Sequence, residues 1–321
     1  MQPEPVTAER RRDVVSWIGA AVALIGVFIC GWALLTGWGA IVHGHPAYAI
    51  WLGVTLLVSL AAFWLTLTPR RRRGGWRRVG RVALIVGASG WLALTAWLRP
   101  YTAVEPALAA MHSDSAVTVT ETPTEIVMHP RKAADGTGLL FQPGALVDPR
   151  AYAAVLRPVS EAGHTVVIAK QPLGIAFLAT GALESARSGH PEVKEWVVGG
   201  HSLGGTVAAM EADAGKAGDS APVAGLLLYA SYPASDISSS LKTPVESISG
   251  SRDGLATPDK IQASRSDLPG DTVFTVIQGG VHSQFGDYGP QSGDNTPTIS
   301  HDDARKQISS ASVDFFTTLA R

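Results

Sequence analysis

Ser202 stands between two pairs of glycines in WVVGGHSLGGTVAAM, residues 196–210. An apolar run rich in valine precedes it, and an alanine-rich run follows. Gly200-His201-Ser202-Leu203-Gly204 therefore reads as a sharp turn from a strand into a helix. Glycine two residues before and two after the serine removes side chains that would collide with the neighbouring strand and helix. The hydroxyl is left projecting from the turn, with the positive end of the helix beneath it. A serine hydroxyl is a weak nucleophile near neutral pH. It needs an adjacent base, and the base needs a group that orients it.

On a turn of this kind the chain order is serine, acid, histidine. Two histidines follow Ser202, His282 and His301. His282 lies in GGVHSQFGDYG, just after the strand-like DTVFTVIQ, and would emerge at the same sheet edge as Ser202. His301 opens the last helix beside Asp302 and Asp303 and reads as a solvated neighbour of a helix cap. His282 is the candidate base. The acid is expected after the preceding strand, where VESISGSRDG places Asp253. Asp253-Gly254 is also an ordinary turn signal. Asp236 lies in a serine-rich link, and Asp271 begins a strand at the wrong edge. Charge that develops on a substrate oxygen needs donors. The Leu203 N–H follows the nucleophile directly, and the Ala145 N–H lies in the turn FQPGA, where Gly144 permits close approach.

These groups need a scaffold that brings several loops to one edge. From residue 116 onward, strand-like and helix-like runs alternate. AVTVTET, EIVMHP, GLLFQPG, HTVVIAK, EWVVGG, AGLLLYAS, TPVESISGS and DTVFTVIQGG read as strands. DPRAYAAVLRPVSEAG, GIAFLATGALESA, GGTVAAMEADAG, TPDKIQASRS and DDARKQISSASVDFFTTLA read as helices. Such alternation predicts an α/β domain over 116–321, a mostly parallel sheet covered by helices on both faces. Ligands bind such sheets at the carboxyl edge.

From about residue 116 to 320 the chain resembles the α/β-hydrolase superfamily. It looks closest to bacterial dienelactone-hydrolase-like and polyester-hydrolase-like members, which share a strand ending in PG, then a helix, then a G-x-VVI strand. FQPGALVDPRAY followed by AGHTVVIAK matches that order. The resemblance implies an α/β-hydrolase fold and a carboxylic ester hydrolase acting through an acyl-enzyme. Polyester hydrolases usually carry an aromatic residue where Ala145 stands, so a substrate clamp is missing. The nucleophile is serine, not the cysteine of dienelactone hydrolases proper.

The rest of the chain is of a different kind. Residues 1–112 carry eleven Lys and Arg against four Asp and Glu, and residues 113–321 carry fifteen against twenty-three. The acidic part argues against a nucleic-acid partner. No Asp, Glu, Lys or Arg occurs between Val14 and Pro69. Two membrane spans, about 14–35 and 48–68, fit there, and a third run covers 82–98. The first run is too long for a cleaved leader and is followed by further apolar segments. Trp91 and Trp97 suit a membrane interface. Arg10 to Arg12 precede the first span, and Arg70 to Arg73, Arg77, Arg78 and Arg81 lie between the second and third. Positive loops stay in the cytoplasm. The expectation is a multi-pass protein of a bacterial plasma membrane, with residues 99–115 as a spacer and the α/β domain outside the cytoplasm. Membrane lipid is then one partner and a small-molecule or lipid-like ester the other.

The sole cysteine, Cys30, lies in the first span and reads as a small packing residue. Lys170 ends a strand at the active edge and reads as solvated. No chemistry is assigned to His201. Phe285 and Tyr288, in the long stretch 283–300, are expected to line the cleft. The acidic SGDNTPTISHDD lacks the regular loop spacing of a calcium-binding EF-hand, so neither a metal nor a cofactor is expected. The serine-rich link 231–242 is too short and polar to form a cap domain. The cleft is expected to be open, bordered by 283–300 and by 171–174. The residues alone leave open a non-catalytic binding or sensing protein on this fold, or an acyltransferase using the same three side chains.

Overall fold

The computed structural model describes residues 14–67, 75–132, 136–215 and 221–319. The chain divides into two compact units. One is Met1–Trp38 with Ala49–Arg99, and the other is Gly39–Tyr48 with Pro100–Arg321.

In the first unit the apolar runs form helices. α1 is Val14–His43, α2 Pro46–Leu67 and α3 Gly75–Trp97. All three are long and apolar enough to cross a membrane. Arg10 to Arg12 and Arg70 to Arg73, on which the expected orientation rests, lie outside the described residues. The Trp91 ring stacks on Trp51 with centroids 3.7 Å apart. The Trp91 indole donates to Thr55 Oγ1 at 2.8 Å, and the Trp51 indole donates to Thr95 Oγ1 at 2.9 Å. Each threonine hydroxyl in turn donates to the carbonyl four residues back in its own helix. These exchanges satisfy polar groups that lipid could not.

In the second unit the strands are β1 Val117–Glu121, β2 Glu125–Pro130, β3 Thr137–Gln142, β4 Thr165–Ala169, β5 Glu195–His201, β6 Val223–Tyr229, β7 Val245–Gly250 and β8 Val273–Ile277. They form one sheet in the order β1-β2-β4-β3-β5-β6-β7-β8. β2 pairs antiparallel with β1 and β4, and the other neighbours are parallel. The helices are α4 Ala107–Ala110, α5 Ala153–Glu161, α6 Ala182–Gly189, α7 Leu203–Ala214, α8 Pro258–Ala263 and α9 His301–Leu319.

The central strands are apolar because both faces are covered. Leu139, Phe141, Val166, Ile168, Leu227 and Tyr229 pack toward Leu156, Val159, Ile308 and Phe316 of α5 and α9. The alternate residues Leu140, Val167, Val198 and Leu228 pack toward Ala186 of α6 and Ala208 and Ala212 of α7. That alternation is the two-residue period of a strand.

Two segments differ from the expectation. The helix expected over 174–186 begins only at Ala182, after two short 3-10 turns. Leu173 and Gly174 have φ of 55° and 67°, which no right-handed helix accommodates. Of residues 99–115, read as a spacer, 100–115 carry α4 and belong to the sheet unit. The Tyr101 N–H donates to the Leu146 carbonyl at 2.7 Å, and the Ala103 N–H donates to Asp148 Oδ2 at 3.2 Å. Among the described residues, the link 231–242 contains no helix or strand. Ile237 and Leu241 tuck it against the sheet.

Candidate active site

β5 ends at His201 and α7 begins at Leu203, so Ser202 alone makes the turn. Its φ of 52° and ψ of −124° lie in a region that residues with a Cβ rarely occupy. The surroundings hold it there. The Ser202 N–H donates to the Tyr229 carbonyl at 3.0 Å, and its carbonyl accepts from the Ser231 hydroxyl at 2.6 Å. A Cβ on Gly200 would meet the Gly204 carbonyl carbon at 2.5 Å. One on Gly204 would meet the Gln142 and Pro143 carbonyl oxygens at 2.1 and 2.2 Å. Backbone blocks both positions, so glycine is required by close approach.

His282 and Asp253 come together from the loops after β8 and β7. His282 Nδ1 lies 2.9 Å from Asp253 Oδ2, and both side chains are buried. Asp253 Oδ1 accepts the Leu255 and Ala256 N–H groups at 2.7 and 2.8 Å. The turn role of Asp253 is therefore also what aims its second oxygen. An ionised carboxylate accepts only, so Nδ1 carries the proton and Nε2 presents the lone pair. His282 Nε2 is buried and has no hydrogen-bond partner, Ser202 included. Asp294 fastens both loops. Its Oδ1 accepts the Gly254 and His282 N–H groups, and its Oδ2 accepts the Ser283 N–H and hydroxyl. Burial alone would raise the Asp294 carboxyl, but the N–H groups of Ser283 and Gly254 and the Ser283 hydroxyl outweigh it and hold it below the usual range.

The Leu203 N–H is the first of α7 and has no preceding turn to receive it. In the turn after β3, the Gly144 N–H goes to the Tyr152 hydroxyl, the Leu146 N–H to the Gly174 carbonyl and the Val147 N–H to the Gly144 carbonyl. Pro143 has no N–H. Ala145 is thus the donor that this turn leaves uncommitted.

Several buried groups here were not legible as functional. The Tyr152 hydroxyl lies 2.9 Å from His201 Nδ1. The His201 ring in turn packs against His282, with centroids 4.5 Å apart. Burial and the neighbouring His282 push His201 well below the ordinary histidine value, and the His282 backbone offsets only part of this. Burial also raises the Tyr152 hydroxyl, so both rings stay neutral. Under the turn, Gln171 Nε2 donates to the Pro143 carbonyl and to Gln142 Oε1, both at 3.0 Å. Gln142 Nε2 donates to Glu211 Oε2 at 3.0 Å. Burial raises Glu211 to about 7, against the pull of its Gln142 and backbone donors.

Other expectations are corrected. Lys170 is buried and not solvated, because Glu121 Oε1 and the Thr122 carbonyl take its ammonium at 2.7 and 2.6 Å. Phe285 and Tyr288 do not line an open cleft. They lie in the core, Phe285 against His201 and Tyr229, and Tyr288 against Tyr101. Gln171, at the expected rim, points inward. His301 pairs with Asp287 at 3.0 Å, and Asp271 is exposed at the start of β8.

The chain belongs to the alpha/beta hydrolase family, whose model matches residues 138–306. No curated protein matches the sequence. Similar solved structures include a thermostable esterase from Pseudomonas putida (15% identity, 66% of this chain and 87% of that one, TM-score 0.47). Others are a predicted CIB-like hydrolase from Thermoplasma acidophilum (12%, 63% and 99%, TM-score 0.48) and Thermogutta terrifontis esterase 2 phosphonylated by sarin (12%, 65% and 96%, TM-score 0.47).

Proposed function

We propose that this member of the alpha/beta hydrolase family is a membrane-anchored serine hydrolase that cleaves carboxylic esters through an acyl-enzyme. The observation that carries the reading is the buried pair His282–Asp253, with Nδ1 and Oδ2 2.9 Å apart. It follows the same sheet edge on which Ser202 is mounted. In this reading Ser202 Oγ attacks the acyl carbon as its proton passes to His282 Nε2. The Leu203 and Ala145 N–H groups receive the negative oxygen. The imidazolium, oriented and balanced by Asp253, then protonates the departing alkoxide. Water repeats the sequence on the acyl-enzyme and frees the acid. Ser202 and His282 are not hydrogen-bonded here, and the reading has that bond close around the substrate, as apo sites often do.

The anchoring rests on the three apolar helices. The arginine-rich segments flanking them would keep their loops in the cytoplasm and leave residues 99–321 outside. A reporter that is active only in the cytoplasm, fused after Arg321, tests this, and a strong signal overturns the external placement. Activity is tested with a serine-directed fluorophosphonate and a short-chain ester. Ser202→Ala is expected to abolish labelling and to lower turnover by a factor on the order of 10⁴ or more. His282→Ala is expected to do the same to turnover, and His301→Ala to change little. Labelling that survives Ser202→Ala places the nucleophile elsewhere.

A further inference from the structure

Apart from the Ser202 site, a second group of side chains has the composition of a ligand set. Glu125 and His129 stand four residues apart on β2, so they share a face of the strand with the buried Val127 between them. His190 and Glu192 lie in the loop between α6 and β5. His190 is buried over this face. Its Nδ1 is 3.5 Å from Glu192 Oε1, and its Nε2 is 3.3 Å from Glu125 Oε1. The His129 and His190 rings lie with centroids 6.0 Å apart, tilted by 56°. One ligand atom each from His129, His190 and Glu192 fall within 4.8 Å of one another.

We propose that His129, His190 and Glu192 bind a divalent cation of intermediate softness, with Zn²⁺ as the best fit. Two imidazoles and one carboxylate suit zinc, and they do not suit the all-oxygen preference of calcium or magnesium. Tetrahedral ligand atoms at about 2.0–2.1 Å from a zinc ion lie about 3.4 Å apart. Glu192, which is exposed, supplies the movement needed to close the set. Glu125 has the part of an outer partner. By accepting a hydrogen bond from His190 Nε2–H it favours the tautomer whose Nδ1 lone pair faces Glu192. Three protein ligands leave a fourth position for water.

The position argues for an ion that acts on stability and not on the Ser202 chemistry. The loop carrying His190 and Glu192 enters β5 at Glu195, and Ser202 follows the far end of this seven-residue strand, about 20 Å away. A cation here touches none of the reacting atoms. It ties β2, which runs antiparallel to its neighbours, to the connection that feeds the serine strand. Because folded chain alone holds the site, binding stabilises the fold by mass action.

The test is titration of the purified full chain in detergent with zinc chloride, followed by calorimetry and by thermal unfolding. One saturable zinc per chain and a rise in the unfolding temperature are expected. His129→Gln and Glu192→Gln are expected to remove or weaken this binding at least tenfold, and Glu125→Gln to weaken it roughly 10- to 100-fold. His190→Ala is expected to abolish it. His190 is buried, so near-ultraviolet circular dichroism must show that this variant is folded. The exposed Glu192→Gln keeps the proposal falsifiable if it is not. His301→Ala should bind zinc like the native chain, and magnesium chloride should give no heat. Absence of saturable zinc binding overturns the proposal. So does binding that is unchanged in both His129→Gln and Glu192→Gln.

Discussion

The Tyr152 hydroxyl lies 2.9 Å from His201 Nδ1, and it accepts the Gly144 N–H at the same distance. The hydroxyl thus has one bond to the Gly144 N–H and a second to His201 Nδ1. The nucleophile strand and the turn that bears Ala145 are therefore joined through one buried oxygen. Tyr152→Phe keeps the ring and its contacts with Phe141 but leaves the buried Gly144 N–H and His201 Nδ1 without this partner. Each loss costs about 1–3 kcal/mol in stability. If Ala145 receives the substrate oxygen, loosening its turn should lower kcat by roughly 10- to 100-fold with little change in KM. Steady-state kinetics with urea unfolding measures both. An unchanged kcat in a destabilised variant would mean that the hydroxyl serves only the fold.

Glu211 gives a prediction about pH. Its folded value is raised to about 7 by burial, whereas an exposed Glu titrates near 4.3. The folded chain thus binds the proton more tightly than the unfolded chain. The stability from this group is fully present below the unfolded value and is lost as pH rises through about 7. The difference corresponds to roughly 4 kcal/mol at most. In Glu211→Gln this slope should vanish. The overall level should stay near that of the native chain at low pH, because the protonated carboxyl and the amide each present one acceptor oxygen and one donor. Urea unfolding from pH 4.5 to 8 checks it. Parallel native and variant curves would contradict the raised value.

Much of this was legible because the chemistry imposes local rules. Valine- and leucine-rich runs between turn residues mark strands buried on both faces. The Gly200-x-Ser202-x-Gly204 spacing follows from two backbone approaches that exclude a Cβ. Chain order and strand ends single out Asp253 and His282. The supporting network follows no such rule. Glu211 and Gln142 meet across 69 positions, and Tyr152 and His201 across 49. Each alone reads as an ordinary helix or strand residue. Lys170 was misread for the same reason, since its partner Glu121 lies 49 positions earlier. The late start of α6 reflects non-helical backbone at Ile175 and Ala179, with φ of −116° and −131°, which neither residue marks locally.

Asp294 should make the site sensitive to acid. Against its burial, its carboxyl is held below the usual range by the N–H groups of Ser283, Gly254 and Asn295 and the Ser283 hydroxyl. Its contribution is present above the unfolded carboxylate value and is lost as pH falls through the lowered one. Asp294→Asn removes that part of the acid transition and sets an amide donor against N–H groups. Turnover is expected to drop about tenfold or more through displacement of His282, while fluorophosphonate labelling slows but persists. Native turnover in the variant would show that Asp253 alone positions His282.

The last prediction concerns the acyl chain. In many enzymes of this fold a lid lies between the strand after the nucleophile helix and the strand that leads to the acid. Here that link is 231–242, with no helix or strand among the described residues. Ile237 and Leu241 bury it against the sheet. Phe285 and Tyr288, the aromatic side chains nearest His282 in sequence, are spent on the core. With neither lid nor aromatic wall from these segments, a long acyl chain would gain little burial per methylene beyond the first few carbons, and burial is what distinguishes long chains from short ones. Acetyl and butyryl esters are therefore expected to have higher kcat/KM than palmitoyl esters, with no jump in rate at the micelle threshold. The apolar helices α1 to α3 argue the other way, since they would hold the enzyme at a lipid surface. Initial rates on the three esters below and above that threshold decide between the two. A palmitoyl preference with a jump there would make membrane lipid the substrate.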